Sequence, residues 1–131
     1  MLGLKRGTVL LCDHCKDWAI EANRIITQLK DILGDFAVDV QHIGSTSIKN
    51  IKAKPIIDIA IGVNRFDGLD NYIERLLNFG VYKSSGQPFS DIVLFSKDDE
   101  NGNRLSNIQV VIYGSEQWNK HILFKIGRAH V

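Results

Sequence analysis

Between residues 16 and 33 the apolar positions Trp18, Ala22, Ile25, Leu29 and Leu33 recur at intervals of three and four, which predicts a helix with one buried stripe. Gly34 follows directly and supplies its stop. Val38 to Ile43 then switches to a period of two, with Val38, Val40 and His42 on one face and Asp39, Gln41 and Ile43 on the other. That pattern predicts a short strand running into Gly44-Ser45-Thr46-Ser47. From Pro55 to Val63 the residues are apolar and mostly β-branched, as in a central strand covered on both faces. Ile57, Ile59, Ile61 and Val63 would share one side, leaving Asp58 with Ile56, Ala60 and Gly62 on the other.

A second helix is predicted from a cap at Asp67 to a stop at Gly80, with Leu69, Ile73, Leu76 and Leu77 as its buried stripe. Ile92 to Ser96 and Arg104 to Tyr113 read as two antiparallel strands, and Asn101-Gly102 between them is a turn signal. Ser115 then caps a last helix through Trp118 and Ile122. This order predicts an α+β domain with a mixed β-sheet and helices packed mainly on one face.

A length of 131 residues fits one domain, and 44% apolar with 24% charged residues excludes a disordered tail, a collagen-like repeat or a coiled-coil rod. The net charge of +1 provides no general field for nucleic acid or an anionic membrane, so a polyanion must be met by a local site. No apolar run approaches the ~18 to 20 residues of a membrane span. The stretch Val9 to Cys12 is also shorter than the roughly 7 to 15 residues of a signal-peptide core, so a cytoplasmic location is expected. Cys12 and Cys15, ahead of a helix, suit a redox dithiol less well than an ordinary loop.

The candidate chemistry lies at Gly44-Ser45-Thr46-Ser47. A glycine at a strand end lets backbone amides approach an anion, and the hydroxyls add donors, as a phosphate requires. A strand-to-helix turn with capping hydroxyls would explain the same residues without a ligand. Lys54 could supply countercharge, and Asp58 could hold a divalent cation through its oxygens or pair with Lys54 or a hydroxyl of the turn. His42 reads either as a donor facing the pocket or as a satisfied core histidine.

His42-Ile43-Gly44-Ser45-Thr46-Ser47, then Ala53-Lys54-Pro55-Ile56-Ile57-Asp58-Ile59, then Val110-Val111 with Tyr113-Gly114-Ser115-Glu116 and Trp118 resemble the GrpB family in order and spacing, from about Val9 to Phe124. The resemblance implies a nucleotidyltransferase-like fold, and some members of the family are fused to dephospho-CoA kinase. Under it Gly44 and Ser45 match the Gly-Ser signature that cradles a nucleotide triphosphate, and Asp58 matches the first acid of an Asp-x-Asp/Glu pair. Ala60 stands where the second acid would be, which puts two-metal catalysis in doubt. Asn107 and Gln109 stand where the family often has paired histidines; both can hydrogen-bond, and neither is a good general base.

Residues 126 to 131 read as the translation of a common sequencing adapter. A single domain over residues 1–125, truncated at its C-terminal end, is therefore expected, with self-association if missing helices leave apolar surface uncovered. The expected function is a nucleotidyltransferase-like domain that binds a nucleotide or another phosphorylated small molecule, with Mg²⁺-dependent nucleotidyl transfer as its reaction if catalysis survives. Gly44, Ser45, Thr46, Ser47 and Lys54 would contact phosphate, Asp58 would be the catalytic or metal residue for Mg²⁺, and His42, Asn107 and Gln109 would be pocket residues. The competing expectation is an accessory module that keeps the pocket without the reaction.

Overall fold

The described residues of the computed structural model are 4–5, 16–44, 47, 56–80, 82–83 and 92–129. They form β1 (Leu4–Lys5), α1 (Lys16–Leu33), β2 (Ala37–Ile43), β3 (Ile57–Val63), α2 (Asp70–Asn78), β4 (Tyr82–Lys83), β5 (Ile92–Asp98), β6 (Asn103–Ile112) and α3 (Glu116–Ala129). The main path of the sheet runs β2-β3-β6-β5-β4, and β1 pairs with the start of β6. The β3–β6 pair is parallel and the other pairs are antiparallel, so the sheet is mixed.

The β-branched run of β3 becomes the middle of the sheet because both of its faces find apolar cover. Ile57, Ile59, Ile61 and Val63 are buried in one core with Ala22, Ile25, Leu29 and Leu33 of α1 and Leu76 of α2. On the opposite face Trp118 of α3 packs with Ile43, Ala60 and Val111. Ala60 and Gly62 make room for that indole: a Cβ added to Gly62 would lie 3.1 Å from the Trp118 ring and 2.9 Å from Tyr113. With α1 and α2 on one face and α3 on the other, the α+β architecture with helices mainly on one side holds.

Each end of the β5–β6 hairpin has a local cause. Asp99 accepts backbone N–H groups from Asn101 at 2.8 Å and Asn103 at 2.9 Å, and Gly102 takes the left-handed conformation at φ +82°. After β6, the Ser115 hydroxyl accepts from the Trp118 backbone N–H at 3.3 Å, the cap expected from the sequence.

Two expectations for α2 require correction. The helix starts at Asp70, not at an Asp67 cap, because Gly68 sits at φ +94° and a turn closes from the Leu69 N–H to the Phe66 carbonyl at 3.0 Å. Leu77 is 43% exposed, not buried, because Leu69, Ile73 and Leu76 define the inward stripe and Leu77 lies at its margin. Among the described residues no helix is long and apolar enough to cross a membrane. The proposed dithiol at Cys12 and Cys15 lies outside the described residues.

Candidate functional site

The parallel register of β3 on β6 sets Asp58 opposite Asn107 and Ala60 opposite Gln109. Antiparallel pairing sets Ser96 of β5 opposite Asn107 and Leu94 opposite Gln109. Directly paired side chains share a face, so Asp58, Asn107, Gln109, Leu94 and Ser96 stand together on the α3 side of the sheet. With Phe95 and Arg104 they line a cleft of about 280 Å³.

Gly44 forms the upper edge of this arrangement. Its φ is +72°, and a Cβ placed there would lie 2.6 Å from Asp58 Oδ2. Glycine is therefore required twice, once by the backbone conformation and once by the carboxylate against it. The Ser47 backbone N–H and hydroxyl both donate to the Gly44 carbonyl, at 3.1 and 2.6 Å. Ser47 thus closes the bend with the hydroxyl hydrogen assigned from sequence to phosphate binding. Ser45, Thr46 and Lys54 lie outside the described residues. His42 pairs with Ile59, on the face that meets α1 and α2, so the strand register directs it away from Asp58.

A polar chain crosses the cleft. Arg104 Nε donates to Asp98 Oδ1 at 2.6 Å, Arg104 Nη1 donates to Asn107 Oδ1 at 2.9 Å, and Asn107 Nδ2 donates to Asp58 Oδ1 at 3.2 Å. A guanidinium only donates and a carboxylate only accepts, so the amide between them has one workable orientation. The two carboxylates against one guanidinium leave an excess negative charge among these groups. Farther along β6, His121 of α3 donates from Nε2 to Gln109 Oε1 at 3.0 Å, and burial pushes the imidazole below its ordinary range.

Arg104, Asp98, Ser96, Leu94 and His121 were absent from the sequence-based site, and Arg104 has a clear reason. Strict alternation from Asn107 through Ser106 would put Arg104 on the far face. The pairing instead shifts between Lys97–Ser106 and Asp98–Arg104, one extra β6 residue being accommodated there. Such an irregularity re-aims a side chain, and here it places Arg104 with Asp98 on the cleft face. The opposite charges of Asp98 and Arg104 on either side of the hairpin turn were the available signal.

The donor set matches a single oxygen-liganded cation better than a pair. Asp58 supplies one carboxylate, while Ala60 is fully buried in the cluster under Trp118, where a second carboxylate would need to stand. Among the described residues no group of three His, Cys, Asp or Glu side chains is arranged to hold a metal. Asn107 and Gln109 can orient a ligand but cannot abstract its proton.

Comparison with known proteins bears on the family and the fold. The family model described as GrpB protein matches residues 8–126. The glutamate-rich protein GrpB of Alkalihalophilus pseudofirmus is 37% identical over 128 residues, covering 95% of this chain and 74% of that protein. The chain spans between 20% and 38% of several other relatives, a dephospho-CoA kinase of Mycolicibacterium paratuberculosis among them. The crystal structure of GrpB from Enterococcus faecalis superposes with a TM-score of 0.84 at 23% identity, over 92% of this chain and 73% of that one. The Cid1 poly(U) polymerase gives a TM-score of 0.60 at 13% identity, over 89% of this chain and 38% of the polymerase, which extends the likeness of fold to nucleotidyltransferases. With a family match over residues 8–126 and a relative 37% identical over nearly the whole chain, the chain belongs to the GrpB family.

Proposed function

We propose that the cleft binds a nucleotide or another phosphorylated small molecule, and does so without nucleotidyl transfer. The observation that carries this reading is the placement of the Asp58 carboxylate against Gly44, at the edge of a cleft whose other wall presents Arg104, Asn107 and Gln109. Phosphate oxygens would meet the Gly44 bend with Ser45 and Thr46, while Lys54 and Arg104 supply countercharge. Asp58 would hold one Mg²⁺ together with ligand oxygens and water, as one-carboxylate magnesium sites do, or would accept from a ligand hydroxyl. Among the described residues of the cleft, Asp58 and Asp98 stand with one guanidinium, so a cation brought with the ligand would find carboxylate oxygens there.

Binding without transfer is favoured by Ala60. The position that would offer a second carboxylate is packed beneath Trp118, so only one wall of the site can ligate an ion from β3. A cytoplasmic location belongs to the same reading.

Thermal unfolding with a nucleotide panel, with and without Mg²⁺, tests the proposal, since a ligand at a hundred times its Kd stabilises the native state by about 2.7 kcal/mol. The expected result is a Mg²⁺-enhanced upward shift that Asp58→Asn removes, with no pyrophosphate release. Absence of a shift with every nucleotide, or an equal shift in Asp58→Asn, would overturn the binding reading. Asp58-dependent pyrophosphate release would replace it with transfer.

A further inference from the structure

Resting on the binding reading above, we infer that Arg104 contacts phosphate directly from the β5–β6 side of the cleft and that Asp98 is a positioning residue whose ion pair with Arg104 holds the affinity for phosphate down. A guanidinium has five N–H donors. The Arg104 side chain uses Nε on Asp98 and Nη1 on Asn107, and makes no other hydrogen bond among the described residues. Its side chain lines the cleft and remains 23% exposed. The shift in strand pairing between Lys97 and Asp98 gives this orientation a backbone cause.

Each neighbour has a separate effect. Asn107 bridges Arg104 to Asp58 and so fixes the cationic head relative to the carboxylate. Asp98 neutralises that same head from behind, with its own side chain 29% exposed. A phosphate entering the cleft therefore meets a guanidinium whose charge is already shared, and must compete with Asp98 for it. Because the fork matches a phosphate edge through paired donors, the ligand class is one with a terminal phosphate or diphosphate reaching from the Gly44 bend toward β5.

Isothermal titration of inorganic pyrophosphate with Mg²⁺ into wild type, Asp98→Asn, Arg104→Gln and Arg104→Lys tests the assignment. Removing the competing charge in Asp98→Asn is expected to tighten binding about threefold to tenfold while lowering the thermal midpoint, a combination a purely structural role would not give. Arg104→Gln is expected to weaken binding by about tenfold or more, and Arg104→Lys, which keeps charge but loses the fork, by less. Unchanged or weaker binding by a folded Asp98→Asn, or wild-type affinity in Arg104→Lys, would overturn the inference. Should Asp98→Asn fail to fold, the two Arg104 variants decide it. Wild-type binding with indifferent variants sinks the inference and leaves the binding reading intact, whereas no binding of pyrophosphate or any nucleotide by any protein sinks both.

Discussion

Gly44 concentrates the site into one residue. Its φ of +72° carries the left-handed penalty for any other side chain, and the Asp58 carboxylate occupies the place of the missing Cβ. Gly114 is a fitting control, with φ +78° and nothing within 4 Å of where a methyl group would stand. In chemical denaturation Gly114→Ala is expected to cost about 1 kcal/mol, and Gly44→Ala about 2 to 4 kcal/mol because Asp58 must also move. Equal losses would show that the carboxylate does not press on the bend. Ser106 supplies a contrasting case: its hydroxyl is buried without a partner among the described residues. Ser106→Ala is accordingly expected to leave stability unchanged or raise it by up to about 1 kcal/mol in the same assay, and a loss above that size would reveal a bond to the hydroxyl. Gly44 and Asp58, which the fold brings together, stood out in the sequence, since a glycine ending a strand and an acid in an apolar run each break a local pattern. Arg104 did not, because its direction depends on a shift in cross-strand pairing that one strand's alternation cannot show.

At the scale of elements, α3 covers the face of the sheet that also carries Asp58. Its cap at Ser115 orders the turn that delivers Trp118 onto Ala60 and Gly62. Ser115→Ala is expected to lower unfolding stability by about 1 kcal/mol, and Trp118→Ala by about 3 to 5 kcal/mol. A negligible loss in Trp118→Ala would mean that α3 does not cover this face. The cap, the stripe of α1 and the alternation of β3 were all readable because each rests on neighbours within one or two turns of chain, whereas the alternation expected for β2 holds only from Asp39 onward, since the pairing shifts between Ala37 and Asp39 and leaves Val38 42% exposed. The start of α2 was not readable, since Asp67 has the chemistry of a cap but Gly68 adopts a conformation that a helix cannot continue through. The short β4 likewise exists through pairing with β5, and no local period marks it.

At the scale of the molecule, two titrating groups among the described residues make stability fall on the acid side. Backbone N–H donation from Asn103 holds the Asp99 carboxyl below its ordinary range, and burial holds His121 below its ordinary value of 6.5. In each case the unfolded chain takes up its proton at a higher pH than the folded one, so the stabilisation is complete above the ordinary value and is lost as pH falls toward the folded one. Denaturant midpoints are expected to decline first between about pH 7 and 5, and again below about pH 4. His121→Gln should flatten the first decline and Asp99→Asn the second; a midpoint that rises on acidification through about pH 6 would contradict these assignments. The arrangement of the sheet, with its parallel β3–β6 pair joining residues far apart in sequence, is what brings Asp58 to Asn107, and the fold that carries it is shared with the Enterococcus GrpB structure.

The cleft's role is tested most directly by nuclear magnetic resonance, following backbone and side-chain amides while a Mg²⁺-nucleotide is added. The expected perturbations centre on Gly44, Asp58, Ser96, Arg104, Asn107 and Gln109, and spare the separate cleft of about 250 Å³ lined by Asp35, Phe36, Asn64, Arg65 and Tyr72. Saturable shifts gathered around that second cleft, or no saturable shifts at all, would contradict the account.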